Sequence, residues 1–167
     1  MDRAGCVLGL DVSLRCTGYG VVAAEGSRLI ARDCGIIPVA QGLPMTECLR
    51  RIHETVAGLM ERWSPSAVSV EGGFFHRNAR TAMILGQARG AAICACGAVP
   101  VYEYAPRKIK QAVVGYGAAD KSQVAAMVVR ILSLASEPPE DAADALAIAV
   151  CHAQTCSGHP ALAPEPI

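Results

Sequence analysis

Val7-Leu8-Gly9-Leu10-Asp11-Val12-Ser13-Leu14-Arg15-Cys16-Thr17-Gly18-Tyr19-Gly20-Val21-Val22 is the stretch whose reading decides the fold. Two apolar runs flank a short turn, and Asp11, the only carboxylate in the stretch, stands where the first run stops. Val, Leu and Tyr suit a pleated surface and the glycines let the chain bend, so the two runs predict a β-hairpin. The first run is apolar on both faces. That marks a central strand, whose end lies over the middle of the sheet. Taken alone, Asp11 reads first as turn chemistry, because an Asp side chain bonds its own backbone. Further carboxylates arriving at equivalent ends would change that reading.

Working outward, Leu29 to Val39 is a third strand-like run, closed by Gln41-Gly42-Leu43-Pro44. Three strands with short links predict antiparallel neighbours. Met45, Leu49, Ile52, Val56, Leu59, Met60 and Trp63 recur at helical spacing with charged residues between them, which predicts an amphipathic helix whose apolar stripe is core. Ser64-Pro65 breaks it, and Ala67-Val68-Ser69-Val70-Glu71 predicts a short strand that again ends in a carboxylate. The loop Gly72-Gly73-Phe74-Phe75-His76-Arg77-Asn78 holds the only two phenylalanines of the chain, either tucked under as local core or held out for a partner. Ala79 to Gly97 predicts a helix of small residues, Val99 to Tyr104 a strand, and Pro106 opens a short basic helix, Arg107-Lys108-Ile109-Lys110-Gln111. Asp120-Lys121-Ser122-Gln123 has the form of a capping box. It puts Lys121 in a helix's first turn, where a cation opposes the helix dipole unless something negative approaches. Pro138 to Ile148 starts the last helix, with Asp141 and Asp144 sharing one face of its first turns. Residues 1–157 read as one domain and 158–167, rich in proline, as a flexible tail.

Composition narrows the class. At 167 residues and 52% hydrophobic content the chain supports one sizeable core. No apolar run approaches the ~20 residues of a membrane span, and Met1-Asp2-Arg3 lacks a signal-peptide pattern, so a soluble cytoplasmic protein is expected. The eight cysteines are scattered without a CxxC pair and read as small buried hydrophobes. Cys151, His152, Cys156 and His159 have the elements of a zinc site but not its spacing. Formal net charge is zero, yet residues 72–124 carry seven basic side chains (Arg77, Arg80, Arg89, Arg107, Lys108, Lys110, Lys121) against two acids, Glu103 and Asp120. The middle third can therefore present a local positive field.

Asp11 and Glu71 end two strands, and Asp141 with Asp144 lies near the start of a helix. If the strands are neighbours, all four can converge. Unpaired carboxylates in one place repel strongly, which points to a cation. Oxygen ligands without His or Cys select magnesium or manganese. Two such ions roughly 4 Å apart suit phosphodiester hydrolysis.

At this point the chain closely resembles the RuvC family of Holliday junction resolvases, which have the ribonuclease H fold. The resemblance is carried by Gly9-Leu10-Asp11 with Thr17-Gly18-Tyr19-Gly20, Glu71 with Asn78, Leu85-Gly86-Gln87-Ala88-Arg89-Gly90, Lys110-Gln111-Ala112-Val113-Val114-Gly115 with Gly117, Lys121-Ser122-Gln123-Val124, and Asp141-Ala142-Ala143-Asp144-Ala145-Leu146-Ala147. It implies an α/β, ribonuclease H-like fold: a five-stranded mixed sheet, antiparallel hairpins first and parallel strands after, with helices on both faces. It also implies a homodimeric, magnesium-dependent endonuclease that resolves four-way DNA junctions by symmetric paired nicks in recombination and repair, working with the RuvA and RuvB branch-migration complex. Asp11, Glu71, Asp141 and Asp144 match the family's metal-binding quartet. Lys110 and Lys121 match basic residues that support the scissile phosphate, and Phe74 matches an aromatic that stacks on a junction base. Arg77, Asn78 and Lys108 join them as expected DNA contacts.

One departure stands out. The family usually has Asp-Pro-Gly-Ser where this chain has Asp11-Val12-Ser13-Leu14, so the turn after the first carboxylate must be built without Pro and Gly. Two rivals follow. A junction-binding protein that no longer cuts would trace to this turn, and would bind four-way DNA without nicking it. A sugar-kinase or actin-like ATPase fragment also places Asp and Gly in a first hairpin, but needs a second half for its nucleotide.

Overall fold

The computed structural model describes residues 5–72, 78–157 and 164–167. The elements follow in the order β1 (Cys6–Asp11), β2 (Cys16–Glu25), β3 (Arg28–Pro38), α1 (Met45–Trp63), β4 (Ala67–Glu71), α2 (Ala79–Cys94), β5 (Val101–Tyr104), α3 (Pro106–Val114), α4 (Lys121–Ile131) and α5 (Glu140–Ser157). Five strands form one sheet in the order β3-β2-β1-β4-β5. The first three are antiparallel, while β4 lies parallel to β1 and β5 parallel to β4. The expected mixed sheet is therefore observed, with β1 at its centre.

Pleat alternation divides the strands between two cores. Leu8, Leu10, Val21, Val68 and Val70 face α1 and α2, and Ile52 and Val56 of α1 are fully buried against them. Val7 and Val22 face the opposite layer of α3, α4 and α5. That second layer is governed by α5, where Ala142, Ala143 and every residue from Ala145 to Cys151 are buried. A helix apolar all round must be enclosed, and each buried Leu, Ile or Val contributes about 1.5–3 kcal/mol.

Glycine is what allows α5 to lie so close. A Cβ on Gly9 would sit 2.1 Å from the Ala145 carbonyl oxygen, and one on Gly18 would sit 1.8 Å from that of Asp141. Any side chain at either position would push the helix off the sheet.

Small differences from the sequence reading have local causes. The helix expected to run to Gly97 ends at Cys94, because Gly97 takes a left-handed φ of 62° and closes a turn. The strand expected from Val99 begins at Val101, since Pro100 has no N–H for the ladder, although its carbonyl accepts from the Val68 amide at 2.9 Å. The basic helix runs past Gln111 to Val114 and stops at Gly115, φ 84°. Of the residues read as a tail, 158–163 lie outside the described residues, and the Ile167 amide donates to the Val101 carbonyl at 2.9 Å. Among the described residues no helix is long and apolar enough to cross a membrane.

Candidate active site

The same alternation aims the acidic side chains. Gly9 faces α5, so Asp11, two residues on, faces it too. In β4, Ser69 faces α5 through a 3.3 Å hydrogen bond from its hydroxyl to the Ile148 carbonyl, which places Glu71 on that side as well. Strands β1 and β4 are parallel neighbours, so both carboxylates leave the sheet at the same edge. Asp144, on the second turn of α5, completes the group. Asp11, Glu71 and Asp144 line a cavity of about 320 Å³ whose far wall carries Lys110 of α3 and Lys121 of α4.

Asp141 is not part of that lining. One turn earlier on α5, it lies over β2, where the Gly18 backbone touches its carbonyl and the Cys16 thiol lies beside its carboxylate. That hydrogen bond, together with burial, pushes the thiol up to about 11. Asp141 still acts on Asp11 through its charge. Of the quartet expected to converge, three line one cavity and the fourth reaches Asp11 through its charge.

Electrostatics show the strain of this arrangement. Burial, then repulsion from Asp144, Glu71 and Asp141, raises the Asp11 carboxyl to about 7 against an opposing pull from Lys121. Burial and Asp144 likewise raise Glu71, opposed by Lys121, Lys110 and Arg89. The ammonium of Lys121 is 2.7 Å from Glu140 Oε1 and 3.2 Å from Asp144 Oδ2, and these two partners hold it charged well above its usual range. The capping box anticipated at Asp120 is present in full and fixes the helix start that carries Lys121. The cation at the wrong end of a helix dipole is therefore matched by α5's acids. Sequence reasoning missed Glu140 as this partner, although an uncompensated lysine was a cue to look for one.

The donor set is chemically suited to a hard divalent cation: carboxylate oxygens that repel one another, with no nitrogen ligand among them. Among the described residues no group of three His, Cys, Asp or Glu side chains is spaced to clasp a single ion unaided. A divalent cation held by these carboxylates would take its other ligands from water and phosphate oxygens.

The turn at Val12-Ser13-Leu14 closes without its family residues. Ser13 Oγ donates to the Cys16 carbonyl at 2.7 Å and accepts from the Cys16 amide at 3.1 Å, while Thr17 Oγ1 donates to the Ser13 carbonyl at 2.7 Å. Among the described residues the non-glycine positions with positive φ are Ser64 and Ser133, so no left-handed residue is needed here. Two hydroxyls brace the turn that follows Asp11.

The expected DNA contacts divide. Lys110 lines the acidic cavity, whereas Lys108 is exposed one position before the buried Ile109 and lies outside its lining. Asn78 caps α2, its Oδ1 accepting from the Thr81 amide at 3.2 Å. Phe74 and Arg77 lie outside the described residues. Of the residues weighed for zinc, His152 is buried and its Nδ1 pairs with the Tyr104 hydroxyl at 2.9 Å, Cys151 is enclosed in the core, and Cys156 Sγ lies 3.5 Å from His152 Nε2. His159 lies outside the described residues.

Comparison with known proteins agrees with this geometry. The family model described as crossover junction endodeoxyribonuclease RuvC matches residues 7–152. The curated RuvC of Idiomarina loihiensis is 47% identical over 155 residues, covering 89% of this chain and 87% of the relative. That of Chloroflexus aggregans is 46% identical, covering 89% and 92%. The solved Thermus thermophilus RuvC superposes with a TM-score of 0.87 at 38% identity, covering 97% of this chain and 99% of that one, and the same protein solved with a Holliday junction substrate gives 0.86 at 36%. Yeast mitochondrial Ydc2 shares the fold at a TM-score of 0.60 with 12% identity. Strand ends, helix face and matched sequence coincide over the same residues, and the chain belongs to the RuvC family of crossover junction endodeoxyribonucleases.

Proposed function

We propose that this chain resolves four-way DNA junctions by metal-dependent hydrolysis, with Asp11, Glu71, Asp141 and Asp144 holding magnesium, or manganese in its place, as two ions per site once DNA is bound. The observation that carries the reading is the meeting of Asp11, Glu71 and Asp144 around one cavity that faces Lys110 and Lys121. Bound there, the ions would activate the attacking water and stabilise the leaving oxygen. The protein supplies the rest. Lys110 and Lys121 offer cationic groups to the scissile phosphate, and Lys121 exchanges its ion pair with Glu140 and Asp144 for that phosphate. The basic side chains of residues 72–124, Lys108 and Arg77 among them, attract the DNA backbone, with Asn78 beside them at the loop's end and Phe74 stacking on an unpaired junction base.

In this reading residues 1–157 form the nuclease domain, and two copies act together so that a two-fold enzyme meets a two-fold junction. The outer face of α2 suits such pairing: Met83 is 66% exposed, and open space lies over Gly86 and Gly90. In the same reading the protein works in the cytoplasm beside the branch-migration machinery of RuvA and RuvB, whose crossover it would cut. Incubating synthetic four-way DNA with magnesium tests the proposal. Paired nicks in strands of like polarity are expected, and junction binding without nicks would overturn it; a solution mass equal to one chain would remove the dimer.

A further inference from the structure

We infer that Arg89 is a positioning residue for Glu71, holding the last peptide of β4 so that the carboxylate faces the metal site, with Glu103 as the anchor of the guanidinium. The inference rests on the proposed metal-holding role of Glu71.

Arg89 stands on α2, on the opposite side of the sheet from α5. One of its Nη atoms donates to the backbone carbonyl of Glu71, and the other donates to Glu103 Oε2 on β5. The side chain is 18% exposed, so the pair with Glu103 is sheltered on the arginine's side. A planar guanidinium presents two donors in fixed relation and spans acceptors on neighbouring strands. A lysine ammonium in the same place is a single flexible point.

The location explains the need. Pairing between β1 and β4 extends to Leu10 and Val70, so Glu71 lies one residue beyond that ladder. On its other side β5 still holds it, and the Gly72 amide donates to the Tyr104 carbonyl at 2.8 Å. The Glu71 carbonyl, at the frayed edge, is the group Arg89 secures. Gly72 packs on the same anchor, since a Cβ there would come within 3.2 Å of Glu103 Oε1. A second, smaller cavity of about 140 Å³ lies on this flank, lined by Asp11, Glu71, Gly72 and Arg89 among others. Asp11 and Glu71 therefore form a wall: Lys110 and Lys121 face one side of it, and Arg89 braces the other. With Glu103 engaged by one Nη, Arg89 fixes the peptide with the other.

The test compares Arg89→Met, Arg89→Lys and Glu103→Gln with the unaltered protein, measuring the single-turnover rate on saturating synthetic junction as magnesium is varied, and junction affinity separately in EDTA. Half-saturating magnesium should rise about 10-fold for Arg89→Met. Glu103→Gln should shift it the same way by less, Arg89→Lys should fall between, and much of the rate should return at high magnesium while junction Kd stays within about 2-fold. Weakened junction binding with an unchanged magnesium profile would overturn the inference by making Arg89 a phosphate contact. A loss of thermal stability alone, with rate and profile intact, would also overturn it. Glu103→Gln keeps size and an acceptor, so it decides the question if Arg89→Met does not fold. Absence of magnesium-dependent cutting by the unaltered protein would overturn the proposed function itself; unshifted variants of a protein that cuts would remove only the role of Arg89.

Discussion

The two ends of α5 are built on opposite principles. At its start Asp141 and Asp144 lie over β1 and β2 among other acids, and the cluster raises the Asp11 carboxyl to about 7. At its far end His152 lies over β5, where its ring packs 4.5 Å from Tyr102 and edge-on to Tyr104 at 5.8 Å. There the polar atoms are matched: the Tyr104 hydroxyl meets His152 Nδ1, and Thr155 Oγ1 donates to the Cys151 carbonyl at 2.8 Å. One helix thus joins a region of partly relieved repulsion to a region of satisfied contacts. The first costs stability and gathers oxygen ligands, while the second is closed by matched contacts.

The largest expected effect breaks the acidic end. Asp11→Asn should lower the cleavage rate more than about 100-fold, beyond the range for groups that only support a ligand. Junction affinity by gel shift in EDTA should change less than about 2-fold. Equal losses of cutting and binding would contradict the division between acidic centre and basic surface.

The same substitution should have the opposite sign in stability. A carboxyl raised from 3.8 to about 7 keeps its proton longer in the folded state, so its contribution favours folding below about pH 4 and is lost as pH rises through 7. Metal-free Asp11→Asn should then melt about 5 °C or more above the unaltered protein at pH 8, with the gap closing toward pH 4. Adding magnesium at pH 8 should raise the Tm of the unaltered protein more than that of the variant. A lower Tm for the variant at pH 8 would show that the cluster is not strained.

At the satisfied end, Tyr104→Phe removes the partner of a buried imidazole, costing about 1–3 kcal/mol. A Tm loss of several degrees is expected by calorimetry with the single-turnover rate at 25 °C unchanged; a rate loss without a Tm loss would erase the contrast between the two ends. The smallest effect belongs to the turn. Ser13→Ala removes the hydroxyl bonds to Cys16 and should cost about 1 kcal/mol, with cleavage reduced only modestly. A collapse of cleavage would mean that this turn, unlike its relatives, depends on one hydroxyl to aim Asp11.

Much of this was legible from residue order because the determining signals are local. Alternation and glycine placed the first hairpin, a carboxylate at each of two strand ends marked the site's floor, and the three-residue spacing of Asp141 and Asp144 put both on one helix face. The capping box at Asp120 was equally plain. What escaped depends on contacts across the sheet. Cys16 beside Asp141 could have been placed from Gly18, its pleat-mate two residues on, but only once α5 was known to cross there. That Asn78 also caps α2 went unread, because it was weighed only as a DNA contact. Arg89 counted as one positive charge among seven and as part of a matched block, with no structural role, since its two acceptors come from strands 18 and 14 residues away.

The bare backbone at Gly9 and Gly18 has a reach beyond packing. Because those two positions hold nothing, the thickness of the gap between sheet and helix becomes the gauge of the catalytic bite. A lone methyl group there would act as a shim, carrying Asp141 and Asp144 away from Asp11 and Glu71 without removing a single acid.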